Sequence, residues 1–107
     1  TTNFNNPFGY GRIIRNDEDQ FVKIVEQKDA NNEEAKINEI NSGIYLFDSI
    51  TLFEKIHLIK NNNVQKEYYI GDLFNFLKSK EISIYLTEKS YEITGVNTTE
   101  QLLKLNK

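Results

Sequence analysis

Apolar and polar positions along this chain follow two different periods, and the switches between them mark out its elements. Gly11 to Arg15 reads as a strand, Asn16-Asp17-Glu18-Asp19-Gln20 as a polar turn, and Phe21-Val22-Lys23-Ile24-Val25-Glu26 as the returning strand. That pattern predicts a hairpin with a loop of about five residues. Asn31 to Lys36 reads as a short helical turn, with an asparagine to cap it and acids in its first turn. Ile40 to Phe47 is apolar and β-prone, the mark of a buried strand. Asp48 or Ser49 can cap the helix that follows, where Ile50, Phe53, Ile56 and Ile59 recur at helical spacing and Asn61-Asn62-Asn63 makes the stop. Ile70, Leu73, Phe74 and Leu77 define one face of a second helix over 70–78. Ile82, Ile84 and Leu86 alternate with Ser83, Tyr85 and Thr87, which predicts a half-buried strand, and Tyr91 to Thr94 a further short one. Thr98 and Gln101 are spaced as a capping box that opens a last helix, whose apolar side carries Leu102, Leu103 and Leu105. Strands alternate with helices, so the fold class is α/β. No repeat, low-complexity linker or domain boundary interrupts the pattern.

Composition narrows what such a domain can do. At 107 residues the chain is one domain or part of one. Its formal net charge of −3 provides no general basic field for nucleic acid. With no cysteine, disulfides, thiolate catalysis and cysteine-ligated metal are excluded. The single histidine, His57, falls in an amphipathic helix as a surface or boundary residue, which leaves no basis for a histidine metal cluster. No apolar run approaches the length of a membrane span and none reads as a signal peptide, so the expected location is the cytoplasm, with neither membrane nor nucleic acid as a partner.

Chemistry concentrates in a few short stretches. Asn6-Pro7-Phe8-Gly9-Tyr10-Gly11-Arg12 holds the only proline and two of the five glycines. Two glycines one residue apart call for a sharp turn or for something close to the backbone. Taken one at a time, the polar residues around it have ordinary readings. Gly11 is a turn glycine, Glu26 a solvated strand-end acid, Asn41 a satisfied strand-end amide, Asn97 the N-cap of the last helix, Tyr10 a core filler and Lys28 a solvated cation.

Taken together they look different. The order Asn6-Pro7-Phe8-Gly9-Tyr10-Gly11-Arg12, Ile24-Val25-Glu26-Gln27-Lys28-Asp29-Ala30, Glu39-Ile40-Asn41-Ser42-Gly43-Ile44-Tyr45, Asn61-Asn62-Asn63-Val64-Gln65-Lys66-Glu67-Tyr68-Tyr69 and Gly95-Val96-Asn97 closely resembles the uridylyltransferase domain of the bacterial bifunctional N-acetylglucosamine-1-phosphate uridylyltransferase / glucosamine-1-phosphate acetyltransferase family. The resemblance runs over nearly the whole chain but covers only part of that domain. The family's glycine-rich phosphate loop, an aspartate that shares its Mg²⁺, and its acetyl-transferring β-helix have no counterpart here. It implies that 1–107 is the sugar-binding, C-terminal half of a Rossmann-like nucleotidyltransferase domain, a mixed sheet with flanking helices.

What the resemblance implies for function is uridylyl transfer from UTP to N-acetylglucosamine 1-phosphate, giving UDP-N-acetylglucosamine, a cell-envelope precursor, and pyrophosphate. Gly11 would offer its N–H to the sugar, Glu26 would accept from sugar hydroxyls, Asn41 would meet the N-acetyl sugar, and Asn97 would give an oxygen to Mg²⁺ and contact the nucleotide. Tyr10 would pack beside the sugar and Tyr68-Tyr69 would shape the pocket wall. The sequence departs from the family at Val64-Gln65-Lys66, usually Ala-Gln-Gly, and at Ile70-Gly71-Asp72, where a threonine usually precedes the aspartate. None of Gly9, Gly11, Gly43, Gly71 and Gly95 forms a phosphate loop, so this chain alone is expected to be inactive and to self-associate or pair with the missing half. Two alternatives remain at this point: a glucose-1-phosphate uridylyl- or thymidylyltransferase, which usually carries Glu-Lys-Pro where Glu26-Gln27-Lys28 stands, and a non-catalytic module that binds a sugar phosphate or a partner protein.

Overall fold

The computed structural model describes residues 1–106. Its centre is a four-stranded sheet in the order β1-β4-β2-β3, with β1 at Thr2–Asn3, β2 at Arg12–Arg15, β3 at Phe21–Val25 and β4 at Glu39–Ile40. Every pairing is antiparallel, so the sheet is not the mixed one expected from the resemblance. The expected hairpin is present as β2 and β3. Its loop is held by Asn16, whose N–H reaches the Gln20 carbonyl and whose side-chain oxygen accepts from the Glu18 and Gln20 N–H groups. A bulge between Ile14 and Arg15 shifts the register near the turn.

Three short helices accompany the sheet: α1 at Asn32–Ala35, α2 at Ser49–Lys55 and α3 at Thr99–Leu105. Each begins where a side chain can satisfy free N–H groups. Asn31 and Glu34 form a capping box on α1, Asp48 accepts from the Thr51 N–H at 3.0 Å on α2, and Thr98 with Gln101 forms the capping box on α3. The cap of α3 is therefore Thr98 and not Asn97, whose own N–H instead donates to Gln101 Oε1 at 2.6 Å.

Several expected elements take another form. Only Glu39–Ile40 of the stretch 40–47 is paired as a strand; beyond it the chain makes local turns closed by the Asn41 and Ser42 side chains. The 70–78 helix is a 3₁₀ run over Ile70–Phe76. The segment 82–87 keeps its alternation as far as Tyr85 but forms no ladder among the described residues: its long-range bonds run to the first two residues, through Thr1 N to the Tyr85 carbonyl at 2.9 Å, the Thr87 N–H to the Thr1 carbonyl at 2.9 Å and the Thr2 hydroxyl to the Thr87 carbonyl at 2.7 Å. Tyr91 to Thr94 is no strand, since Ser90–Ile93 forms a 3₁₀ turn. The helix α2 ends at Lys55 and passes into a 3₁₀ turn that carries the exposed His57.

The core is small. Ile13, Phe21, Val25, Ile40, Ile59 and Leu73 are buried, and an aromatic group of Phe21, Tyr45, Phe47 and Phe74, with ring centroids 5.4–5.7 Å apart, packs against the sheet. The most unusual member of the interior is Arg12, 2% exposed in the middle of the sheet. Among the described residues it pairs with no carboxylate. Its guanidinium donates to the carbonyls of Ile37 (2.9 Å), Ala35 (3.1 Å) and Tyr10, which joins the C-terminal end of α1 to the start of β2.

Candidate functional site

The opening glycine-rich stretch separates into two jobs. Gly9 makes a turn: the Tyr10 N–H returns to the Pro7 carbonyl at 3.1 Å, and Gly9 sits at φ +90°, where a side chain is strained. Gly11 makes room. A Cβ at Gly11 would lie 3.0 Å from Glu26 Oε1 and 3.2 Å from its Cδ, so the Glu26 carboxylate rests over the bare glycine backbone.

The sheet register explains that contact. Arg12 pairs with Val25 on one side and with Ile40 on the other. One residue further along, Gly11 lies between Glu26 and Asn41, and the Asn41 N–H donates to the Gly11 carbonyl at 2.8 Å. Residues opposed across antiparallel strands project to the same face. Glu26, Gly11 and Asn41 thus form one row on the face opposite Arg12, Val25 and Ile40, with a notch at its middle where Gly11 has no side chain.

The two flanks of the notch differ, Asn41 being held by hydrogen bonds and Glu26 set by its electrostatic surroundings. Asn41 Oδ1 accepts from the Tyr45 hydroxyl at 2.9 Å and from the Gly43 N–H at 3.0 Å. Burial pushes the Glu26 carboxyl above the ordinary carboxylate range, and the charges of Asp72, Asp29 and Glu67 push the same way. Burial also raises the Asp72 carboxyl, with help from Asp29. The loop after Asn61 closes this acidic side. The Val64 N–H donates to Asp29 Oδ1 at 2.8 Å, while Asn63 bonds both the N–H and the carbonyl of Glu67. The Tyr69 hydroxyl donates to Gln65 at 3.2 Å. Lys66, where the resembled family carries glycine, takes φ +56° in this loop, so the turn persists without the glycine.

The fourth expected residue stands apart. Asn97 is exposed on the approach to α3, and no hydrogen bond joins it to Gly11, Glu26 or Asn41 among the described residues. Its segment does reach the neighbourhood, since Gly95 lies against the Tyr10 ring, 3.8 Å from the hydroxyl to a Cβ placed on the glycine. Tyr10 itself packs edge-on against Phe4 at 5.0 Å. Lys28 is exposed, as is Tyr68.

Asn97 does not make a magnesium site with what surrounds it. It contributes one neutral amide oxygen, and among the described residues no three His, Cys, Asp or Glu side chains group so as to hold a metal ion. Mg²⁺ demands near-octahedral oxygen ligation with carboxylates or phosphates, and the donors assembled here do not fit that requirement.

Beside the row opens a cavity of about 400 Å³ that the sequence pattern did not reveal. Asn41 stands in its wall with Ile13, Ile24, Tyr45, Phe74 and Ile84, and its lining is mainly apolar. Among the described residues the polar row and the cavity therefore meet at Asn41, whose partner Tyr45 also lines the cavity. The contact with Tyr45 was hard to foresee: the Tyr45–Asn41 bond joins residues four apart in a segment that reads as an ordinary strand.

Comparison with known proteins gives the relationship. No protein-family model matches the chain. It is 47% identical over 104 residues to "Bifunctional protein GlmU" of Staphylococcus saprophyticus, covering 95% of this chain and 23% of that protein. The protein of the same name from Streptococcus uberis is 50% identical over 99 residues, 91% of this chain and 22% of its own length. That of Clostridioides difficile is 46% identical over 106 residues, 97% and 23%. The chain thus spans about a quarter of the length of the curated relatives it matches, and over that segment it belongs to the family of the bifunctional protein GlmU.

Proposed function

We propose that this chain supplies the sugar-binding part of a nucleotidyltransferase that joins UTP to N-acetylglucosamine 1-phosphate, releasing pyrophosphate and giving UDP-N-acetylglucosamine. The observation that carries this reading is the single row formed by Glu26, Gly11 and Asn41 around a notch of bare backbone. A pyranose ring presents hydroxyls to be accepted, oxygens to be donated to, and a flat edge that fits only where no side chain projects. Glu26 accepts from hydroxyls, the more strongly because its surroundings make it more basic. The Gly11 backbone floors the notch, and Asn41 meets the substituent on the opposite side. So held, the sugar's phosphate oxygen attacks the α-phosphorus of UTP, one P–O bond forms, and the bond to pyrophosphate breaks. Positioning and charge neutralisation drive such a transfer more than covalent chemistry does. The nucleotide phosphates, and most ligands of any Mg²⁺ that Asn97 shares, lie with residues outside this chain.

The test is calorimetric titration of the chain with N-acetylglucosamine 1-phosphate, with glucose 1-phosphate and with UTP. Binding of the first in preference to the others is the expected result, and Asn41→Ala should weaken it by about 1 kcal/mol. Gly11→Ala should fold, because the atom it crowds is the movable end of Glu26, yet lose the sugar. Preference for glucose 1-phosphate would move the assignment to the glucose-1-phosphate relatives. The placement of the chain's five glycines, none in a phosphate loop, favours binding without turnover. Pyrophosphate release by the chain alone with both substrates and Mg²⁺ would contradict that.

A further inference from the structure

The amide of Asn41 has two chemically opposite ends, and only one can face the notch. Its Oδ1 is engaged by two donors, the Tyr45 hydroxyl at 2.9 Å and the Gly43 N–H at 3.0 Å. A backbone N–H can only donate, so the atom it meets must be the oxygen and not the nitrogen, which fixes the orientation of the amide on chemical grounds. No hydrogen bond from Nδ2 to another described residue accompanies these two. We propose that Tyr45 is a positioning residue that locks Asn41 with its NH₂ group toward the notch, so that Asn41 acts there as a donor and selects an acceptor oxygen on the ligand. This deepens the sugar-binding reading and rests on it: an acetyl carbonyl or a ring-substituent oxygen fits this end of the row, and a group able only to donate does not.

The surroundings make Tyr45 suited to that task. Its ring is wedged between Phe47 and Phe74, at 5.7 and 5.6 Å, so the hydroxyl has little freedom. Burial holds the hydroxyl above its ordinary range, partly offset by the bond to Asn41, so it keeps its proton to donate. Gly71 guards the same spot from the other side: a Cβ there would come within 3.6 Å of the hydroxyl and 3.1 Å of Ile24 Cδ1.

Two variants and a neutral probe test the proposal in the intact chain labelled with ¹⁵N. The probe is methyl N-acetylglucosaminide, which carries no phosphate and so is not repelled by an added carboxylate. Tyr45→Phe keeps the ring and removes only the hydroxyl; it should weaken the probe roughly two- to fivefold, no more than the loss of the Asn41 amide that it orients. Asn41→Asp keeps an oxygen for Tyr45 and Gly43 but presents a second acceptor to the ligand, and should weaken the probe by more than about tenfold. Undiminished binding by Asn41→Asp would mean that oxygen, not nitrogen, meets the ligand, and would overturn the proposal. A ligand-free spectrum separates this from the broader reading. There Tyr45→Phe should shift the Asn41 side-chain NH₂ pair and the Gly43 amide and leave the Thr98 amide in place. Shifts without any probe binding by the parent chain would keep the positioning role and remove the sugar reading; unmoved Asn41 and Gly43 signals would remove the positioning role.

Discussion

Lys66 shows how a single residue can carry strain for a loop. At φ +56° its Cβ crowds the backbone, a conformation that costs a residue with a side chain about 1 kcal/mol and glycine almost nothing. The turn is kept because Asn63 bonds both ends of Glu67 and the Lys66 N–H reaches the Asn63 carbonyl at 3.1 Å. Lys66→Gly should therefore raise stability by about 1 kcal/mol in urea unfolding, and a loss of stability would show that the side chain has a role its backbone does not reveal. Glu26 carries a different cost. Its carboxyl sits above its ordinary value of 4.5 through burial and the charges of Asp72, Asp29 and Glu67, so the folded chain binds this proton more tightly than the unfolded chain does. Ionisation of Glu26 then works against folding: the penalty is absent below the ordinary value and grows as pH rises through the folded one. Glu26→Gln should be more stable than the parent at about pH 7, with the advantage fading toward about pH 4. A constant difference between urea midpoints across that range would refute the assignment.

Among the elements, β2 owes its place to a residue on its buried face. Arg12→Met fills similar space but leaves the carbonyls of Tyr10, Ala35 and Ile37 without their donors, and each unsatisfied buried acceptor costs about 1–3 kcal/mol. A loss of at least about 2 kcal/mol is expected in chemical denaturation, and an unchanged midpoint would show that water replaces the guanidinium. Nothing in the sequence announces this role, because the three carbonyls come from segments that only the folded chain brings together. The hairpin and all three helix caps were legible, since both are local: a polar turn between two β-prone runs, and short polar side chains three residues ahead of their partners. The strands over 40–47 and 82–87 were misread for a physical reason. Alternation records which face a segment can bury, whereas a ladder needs a neighbour, and here the neighbour extends to two residues of β1 and to Thr1. The two-residue β1 is too short to leave any period at all. Of the candidate site, Glu26, Gly11 and Asn41 lie side by side in the sheet, a neighbourhood that their separation in sequence does not announce, and the Tyr45 hydroxyl that bonds Asn41 had no sequence signal beyond a tyrosine in an apolar run.

For the molecule as a whole, the apolar surface left in water is the dominant feature. Leu46 is 99% exposed, Phe53 74% and Tyr85 82%, and the helical repeat that predicted α2 points Ile50 and Phe53 outward. Patches of this kind on an isolated chain favour association, so sedimentation velocity at about 100 µM should show species larger than the monomer, and a single monomer boundary at that concentration would count against it. The same uncovered surface bears on α3, whose Leu102, Leu103 and Leu105 all remain exposed. A seven-residue helix is far below the length at which helices persist unaided, and its capping box offsets only part of that deficit. Stability should accordingly be graded along the chain. In deuterated buffer the amides of α3 should exchange within the first moments while those of Ile13 and Val25 stay protected, so that Asn97 rides on a segment whose order lasts far less time than that of the row it would have to serve.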